Sequence, residues 1–252
     1  MKQWQMIAAS VRGASHLRGQ LACQDAHQVY RLAHGGVVVA VADGLGSAAC
    51  AGQGAQLAVA EARLALQAAL AVTIPQDEAT WRAVLAQAFA RARLALETLA
   101  TAEERPLRDY ATTLIVVVVT DSWIGLGQVG DGAVVALLEQ GEMQTLGIPQ
   151  RGEFANETMP LTHPDALNAV QYLCRPEQVQ ALAIFTDGLQ NLCLEAGSYT
   201  PYQPFFAPLF TQICPPLDPA EAEAALVNFL QSERVTKRSD DDKTLVLLGR
   251  TA

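Results

Sequence analysis

Short β-branched apolar runs and long alanine-rich stretches alternate along this chain, and the changeovers mark its elements. Residues 4–9 and 27–32 have strand character. Gly36 to Ala42 (GVVVAVA) is a compact apolar run that predicts a buried strand. From Ser47 to about Ala71 the chain is rich in Ala, Leu and Gln, with few breakers after Gly54, which predicts a long helix. Pro75 interrupts it, and Asp77 is placed to cap a second helix running to about Ala102. Two alanine-rich helices in succession suggest an antiparallel pair packed on a sheet through small residues.

Strands then return close together. ATTLIVVVVT (111–120), WIGLGQVG (123–130) and AVVALLEQ (133–140) are separated by the turn-like pairs Asp121-Ser122 and Asp131-Gly132, which reads as an antiparallel meander. Gly141 and Glu142 suit another turn, leading into Met143–Leu146. Residues 147–165 are polar and carry Pro149, Gly152, Pro160 and Pro164, so a flap-like irregular insertion is expected over about 147–178. A strand at 180–185 and a short helix after Gly188 follow, and Pro201, Pro204, Pro208, Pro215, Pro216 and Pro219 punctuate the next stretch. A last helix near 219–233 and a closing strand at Thr244–Gly249 complete the chain. Strands at both ends and in the middle, with helices grouped between them, indicate an α+β fold. At 252 residues, one domain over 1–252 is the natural expectation.

Composition narrows the function. Half the residues are apolar and only 17% are charged, enough for a sizeable core and against long disorder. A formal charge of -9 argues against general nucleic-acid or anionic-membrane binding. The valine run centred on Val116 to Val119 breaks at Asp121, far short of the ~20 apolar residues of a membrane span. Cys23, Cys50, Cys174, Cys193 and Cys214 are scattered without a C-x-x-C pair, which suits reduced thiols. The start, MKQWQMIAAS, lacks the apolar stretch of a signal peptide, so a cytoplasmic protein is expected.

The chemistry lies in aspartates at strand ends: AVADGLGS (Asp43), GQVGDGAV (Asp131), AIFTDGLQ (Asp187) and SDDDKTLV (Asp240 to Asp242). A carboxylate there is fixed by a rigid sheet yet reaches a cleft, and several from distant segments suggest an oxygen site for a hard divalent cation. Each has a plainer reading. Asp-Gly is a favoured hairpin turn, most plausibly so for Asp131 between two good strand arms, and a run of three acids is usually a solvated turn that Lys237 and Arg238 could balance. Asp43 differs, because Gly44, Gly46 and Ser47 lead from a buried strand directly into a helix. There a peptide carbonyl could join the carboxylate as a ligand. The glycines that follow Asp43 form neither G-x-x-x-x-G-K-[ST] nor G-x-G-x-x-G.

Taken together and in order, these segments resemble the protein phosphatase 2C family of metal-dependent serine/threonine phosphatases. The resemblance runs through GASHLRGQLACQDAH (13–27), VADGLGS (41–47), YATTL (110–114), QVGDGAV (128–134), FTDGLQN (185–191) and DDKTLVLL (241–248). GEFANET (152–158) resembles an insertion of a bacterial branch. The resemblance implies two packed antiparallel β-sheets flanked by helix pairs, an α-β-β-α sandwich, with two and up to three Mg²⁺ or Mn²⁺ ions at one end. Asp43, Asp187 and Asp241 would be the catalytic metal ligands, with the Gly44 carbonyl beside Asp43, Asp131 serving a third ion and Asp25 a metal-bound water. A hydroxide bridging two metals would hydrolyse phosphoserine or phosphothreonine on proteins, opposing a serine/threonine kinase, in a monomeric enzyme.

Two departures from the family pattern stand out. Gln20 occupies the place of a phosphate-clamping arginine, for which Arg18 is the nearby candidate, and Leu45 replaces a histidine found in some members. His16, His27, His34 and His163 offer no assigned substitute, and Gln24 stands where many members have Glu. They keep open a phosphatase-like module that binds phosphoprotein or metal without turnover. A small phosphoester substrate is a further option.

Overall fold

The computed structural model describes residues 3–150, 158–215 and 218–251. Its strands are β1 (Trp4–Val11), β2 (Asp25–Arg31), β3 (Val37–Asp43), β4 (Leu114–Val119), β5 (Trp123–Val129), β6 (Ala133–Leu138), β7 (Met143–Gly147), β8 (Gln171–Pro176), β9 (Val179–Phe185) and β10 (Lys243–Arg250). They form two five-stranded sheets, ordered β1-β10-β9-β6-β7 and β2-β3-β4-β5-β8. Every pairing is antiparallel.

The valine-rich strands read as unbroken apolar runs because both their faces are buried. In β4, Leu114, Val116 and Val118 face a helical layer while Ile115, Val117 and Val119 face the other sheet. β3 divides in the same way, with Val38, Ala40 and Ala42 on one side and Val37, Val39 and Val41 on the other. Val246 and Leu248 of β10 meet these residues from the opposite sheet, so the middle of the sandwich is a dry apolar slab. Each fully buried Val or Leu contributes roughly 1.5–3 kcal/mol.

The helices are α1 (Ala14–Arg18), α2 (Ala51–Ala69), α3 (Glu78–Ala102), α4 (Ala166–Ala169), α5 (Gln190–Cys193), α6 (Gln203–Ile213), α7 (Pro219–Leu230) and α8 (Glu233–Thr236). Helix α2 buries Ala51, Ala55, Ala58, Ala62 and Leu66, a small-residue stripe that lets it lie close to its neighbours. Helix α3 buries Trp81, Leu85, Phe89, Ala92 and Leu96, and Asp77 caps it by accepting the Thr80 N–H at 2.9 Å. The opposite layer, α6 and α7, covers the other sheet with Phe206, Phe210, Ile213, Leu226 and Leu230. Among the described residues no helix is long and apolar enough to cross a membrane.

The expected α+β sandwich of two helix-flanked antiparallel sheets is thus the observed one, with three local corrections. Strands β4, β5 and β6 do not form one meander. β4 and β5 pair as a hairpin, but β6 leaves for the other sheet and the place beside β5 is taken by β8. Gly130, at φ +107, turns the chain at that crossover, where a side chain would also strike Thr113. The 147–178 stretch, expected to be irregular, closes with α4 and the edge strand β8. Residues 151–157, including most of the GEFANET segment, lie outside the described residues. The proline-punctuated stretch contains α6, with Pro208 inside it, because Phe206, Phe210 and Ile213 gain more from burial than the missing amide loses.

Candidate metal centre

All the strand ends that carry the aspartates meet at one end of the sandwich. Asp25 opens β2 and stands opposite Asp43 at the end of β3. Asp131 sits in the crossover from β5 to β6, Asp187 follows β9, and Asp241 precedes β10. Asp43, Gly44, Asp131, Asp187 and Asp241 line a common cleft of about 400 Å³ together with Ser15, His16, Leu45, Gly46, Thr113 and Thr158. Asp25 lies beneath its floor, buried.

The position of Asp43 is secured through its backbone. Its N–H donates to Thr113 Oγ1 and its carbonyl accepts from Thr112 Oγ1, both at 2.9 Å, so the threonine pair of YATTL fixes the strand end. The amides of Thr113 and Leu45 tie this segment to 111–113, bonding Asp43 O at 2.8 Å and Ala111 O at 2.9 Å. The Gly44 carbonyl takes no part in that ladder. Beneath, Asp25 Oδ2 accepts from Thr186 Oγ1 at 2.8 Å.

The three acids before β10 do three different things. Asp240 is exposed and pairs with Arg18 at 3.0 Å. Asp241 lines the cleft. Asp242 is buried, accepting the Gly13 N–H on Oδ1 and the Gln24 N–H on Oδ2, each at 2.6 Å, and the His16 ring at 2.8 Å. Gly188 lets this turn close in: a Cβ there would lie 1.9 Å from the Asp242 carbonyl oxygen. Arg18 does not stand among the residues lining the cleft, and Asp240 engages its guanidinium outside it.

The electrostatics are one-sided. Four aspartates line the cleft, and no lysine or arginine does so among the described residues. Burial pushes Asp25 up to about 7, against the hydrogen bonds from Thr186 and Thr244 and with help from Asp242 and Asp187. Burial, then the charge of Asp131, pushes Asp187 up to about 6. Asp43 stands well above the usual carboxylate range, chiefly through burial and next through Asp25 and Asp187. Burial raises Asp131 as well, while Thr158, whose hydroxyl donates to Asp131 Oδ2, opposes the rise.

Two buried carboxylate oxygens, Asp25 Oδ1 and Asp187 Oδ1, have no hydrogen-bond partner among the described residues. Orphaned, crowded carboxylate oxygens with raised proton affinity are a donor set for a hard cation, which would relieve their repulsion and supply their missing contacts. Among the described residues no three His, Cys, Asp or Glu side chains converge as a closed cage. Asp43 instead feels the negative charges of Asp25, Asp187 and Asp131 across an open cleft. The site residues read from sequence, apart from Arg18, are therefore together or immediately beneath the cleft. Asp242, Thr186 and the orientation of His16 were not legible, because each depends on a partner distant in the chain.

Comparison with known proteins agrees with this geometry. The protein phosphatase 2C profile matches residues 12–231. Serine/threonine-protein phosphatase 3 of Escherichia coli (strain K12) is 35% identical over 253 residues, covering 97% of each chain. Among solved structures, the catalytic domain of the serine threonine protein phosphatase PstP in complex with two manganese ions superposes with a TM-score of 0.66 at 19% identity, covering 100% of both chains. The serine/threonine phosphatase Stp1 from Staphylococcus aureus gives 0.65 at 11% identity, covering 99% of this chain and 95% of that one. At such identities the two structures speak for the fold alone. With its fold, its ordered acidic motifs and a profile match over most of its length, this chain belongs to the protein phosphatase 2C family.

Proposed function

We propose that this protein hydrolyses phosphoserine and phosphothreonine monoesters on proteins, using Mg²⁺ or Mn²⁺ held in the acidic cleft. The observation that carries the reading is the convergence of Asp43, Asp131, Asp187 and Asp241 on one cleft that, among the described residues, no lysine or arginine lines. A phosphate dianion would be repelled by that surface, so the same residues that hold cations make a cation necessary for substrate to enter.

Asp43, the Gly44 carbonyl, Asp187 and Asp241 are the residues that would hold the two principal ions, with Asp131 and Asp187 serving a third. When bound, such ions polarise the phosphoryl oxygens and lower the proton affinity of water at the site. The chain itself fixes the donors. Thr112 and Thr113 hold the Asp43 backbone, Thr186 orients Asp25, and the 240–242 turn is clamped between Gly13 and Gly188. All the carboxylates named for metal are present, and no observation favours the binding-only reading.

Phosphorylated proteins are the substrates, a serine/threonine kinase supplies them, and the enzyme works as a monomer in the cytoplasm. Thr158, within the segment at about 147–178, lines the cleft, which supports a role for that segment in contacting substrate.

The test is phosphate release from a phosphothreonine peptide by purified protein with Mn²⁺, with Mg²⁺ and with EDTA, beside Asp43→Asn. Metal-dependent release that the variant lacks is expected. A folded protein that binds Mn²⁺ but releases nothing would sink the proposal.

A further inference from the structure

Among the described residues lining the cleft, His16 is the only imidazole, and it is held from behind. Its Nδ1 lies 2.8 Å from Asp242 Oδ2. Asp242 is only 3% exposed, and both its oxygens already accept backbone N–H groups, from Gly13 and Gln24. The His16 nitrogen facing this acceptor-only group is therefore the donor, Nδ1–H. The imidazole side chain is 14% exposed, and with Nδ1 turned to Asp242 its Nε2 edge is left to the cleft.

The backbone around His16 is equally constrained. The Ser15 N–H and hydroxyl both donate to the Asp240 carbonyl, at 2.9 and 2.7 Å. Thus α1 is clipped to the turn that carries Asp241, although it has only five residues. The charged groups facing the ring are Asp242 behind it and Asp43, Asp131, Asp187 and Asp241 around the cleft, while the Asp240 carboxylate is engaged by Arg18 outside. Neither Gln20 nor Leu45 brings an ionisable group to this end of the fold. The other described side chains that line the cleft are the aspartates assigned to cations, the hydroxyls of Ser15, Thr113 and Thr158, and Leu45.

We propose that His16, oriented by Asp242, is the acid that protonates the leaving seryl or threonyl oxygen; this rests on the phosphatase reading above. In that step the bond from phosphorus to the substrate oxygen breaks with its electron pair on oxygen. Nε2–H of the imidazolium gives that oxygen its proton, leaving neutral imidazole and a free hydroxyl side chain. Water supplies the new oxygen on phosphorus, and the proton it loses restores the imidazolium, so that phosphomonoester and water become alcohol and inorganic phosphate. Asp242 is the positioning residue, stabilising the positive ring without touching substrate.

Leaving-group dependence tests this. Threonine alkoxide needs a proton to leave, whereas 4-nitrophenolate does not. With Mn²⁺ present, His16→Gln should lower kcat on a phosphothreonine peptide ~100-fold while changing it by less than about threefold on 4-nitrophenyl phosphate. Asp242→Asn should act in the same direction, more weakly. In ¹⁵N-histidine-labelled protein a hydrogen-bonded Nδ1–H signal should be present, vanish in His16→Gln and shift in Asp242→Asn. Unchanged melting temperature and Mn²⁺ affinity of His16→Gln, with His16→Asn as a second replacement, separate this role from a folding defect. Equal losses on both substrates, no loss on the peptide, or the absence of the Nδ1–H signal would each overturn the proposal. Wild-type protein that hydrolyses neither substrate would overturn the phosphatase reading and this inference together.

Discussion

Asp121 and Asp131 stand at opposite ends of strand β5, each in a turn-like pair between apolar runs, and the molecule treats them in opposite ways. Asp121 closes the β4–β5 hairpin, is 78% exposed, and pairs with Arg250, whose guanidinium also lies 5.1 Å from the centre of the Trp4 ring. Asp131 sits in a crossover between sheets, sunk into a cleft beside Asp187 and Asp241 with Thr158 as its hydrogen-bond donor. One end of the sandwich neutralises its acid with arginine and water. The other gathers four aspartates on one cleft that, among the described residues, no lysine or arginine lines, so their negative charge is held ready for a cation.

That contrast can be broken at its acidic end with the largest effect. Asp187→Asn should lower the metal-dependent rate on a phosphothreonine peptide by on the order of 10²–10³-fold, the several kcal/mol a bound cation supplies. In EDTA the same variant should melt higher than the wild type at pH 8, because a neutral amide no longer meets the charges of Asp43 and Asp131. A variant that keeps full activity would mean the cleft is not the site. Asp131→Asn should cost less, about 10-fold, and should raise the Mn²⁺ concentration needed for half-maximal rate. An unchanged Mn²⁺ dependence would remove Asp131 from the metal site.

The pH dependence of stability sharpens the comparison at intermediate size. Asp25 at about 7 and Asp187 at about 6 both lie above the ordinary aspartate value of 3.8. Between those values the native protein binds more protons than the unfolded chain, so unfolding free energy falls as pH rises. The contribution of these two groups to the cation-free protein is therefore full below about pH 4 and is lost as pH passes through 6 to 7. Urea unfolding in EDTA should show a midpoint that drops from pH 5 to pH 8, less so in Asp187→Asn, with Mn²⁺ reversing the drop. A flat midpoint in EDTA would show that the acidic end carries no such strain.

The smallest effect belongs to the exposed end. Asp121→Asn should leave the rate on the phosphopeptide unchanged and cost no more than about 1 kcal/mol, as expected of an exposed ion pair. Thermal melts at low and high salt check it. A larger loss would show that Arg250, only 8% exposed on its side chain, depends on this partner for its burial.

What the sequence determined alone is the material that needs little from elsewhere in the chain. The valine runs of β3 and β4 announced strands buried on both faces, and the alanine stripes of α2 and α3 announced helices set close to a sheet. Asp43, Asp131, Asp187 and Asp241 were legible because family motifs hold them in order. The tertiary structure decided the rest, because the deciding partners are far apart in sequence. Prolines hid α6 until the sheet offered a surface for Phe206 and Phe210. The half-exposed β8 has no apolar run to announce it and exists by pairing with β5. Asp131-Gly132 carried the same turn signal as a hairpin, and only the occupation of the place beside β5 by β8 sent β6 to the other sheet. Among the three consecutive acids, local chemistry is nearly identical. Their separate fates follow from Arg18 meeting Asp240, the cleft meeting Asp241, and Gly13, His16 and Gln24 enclosing Asp242. A carboxylate's role is set by which donors and charges surround it, and here those arrive from the opposite end of the chain.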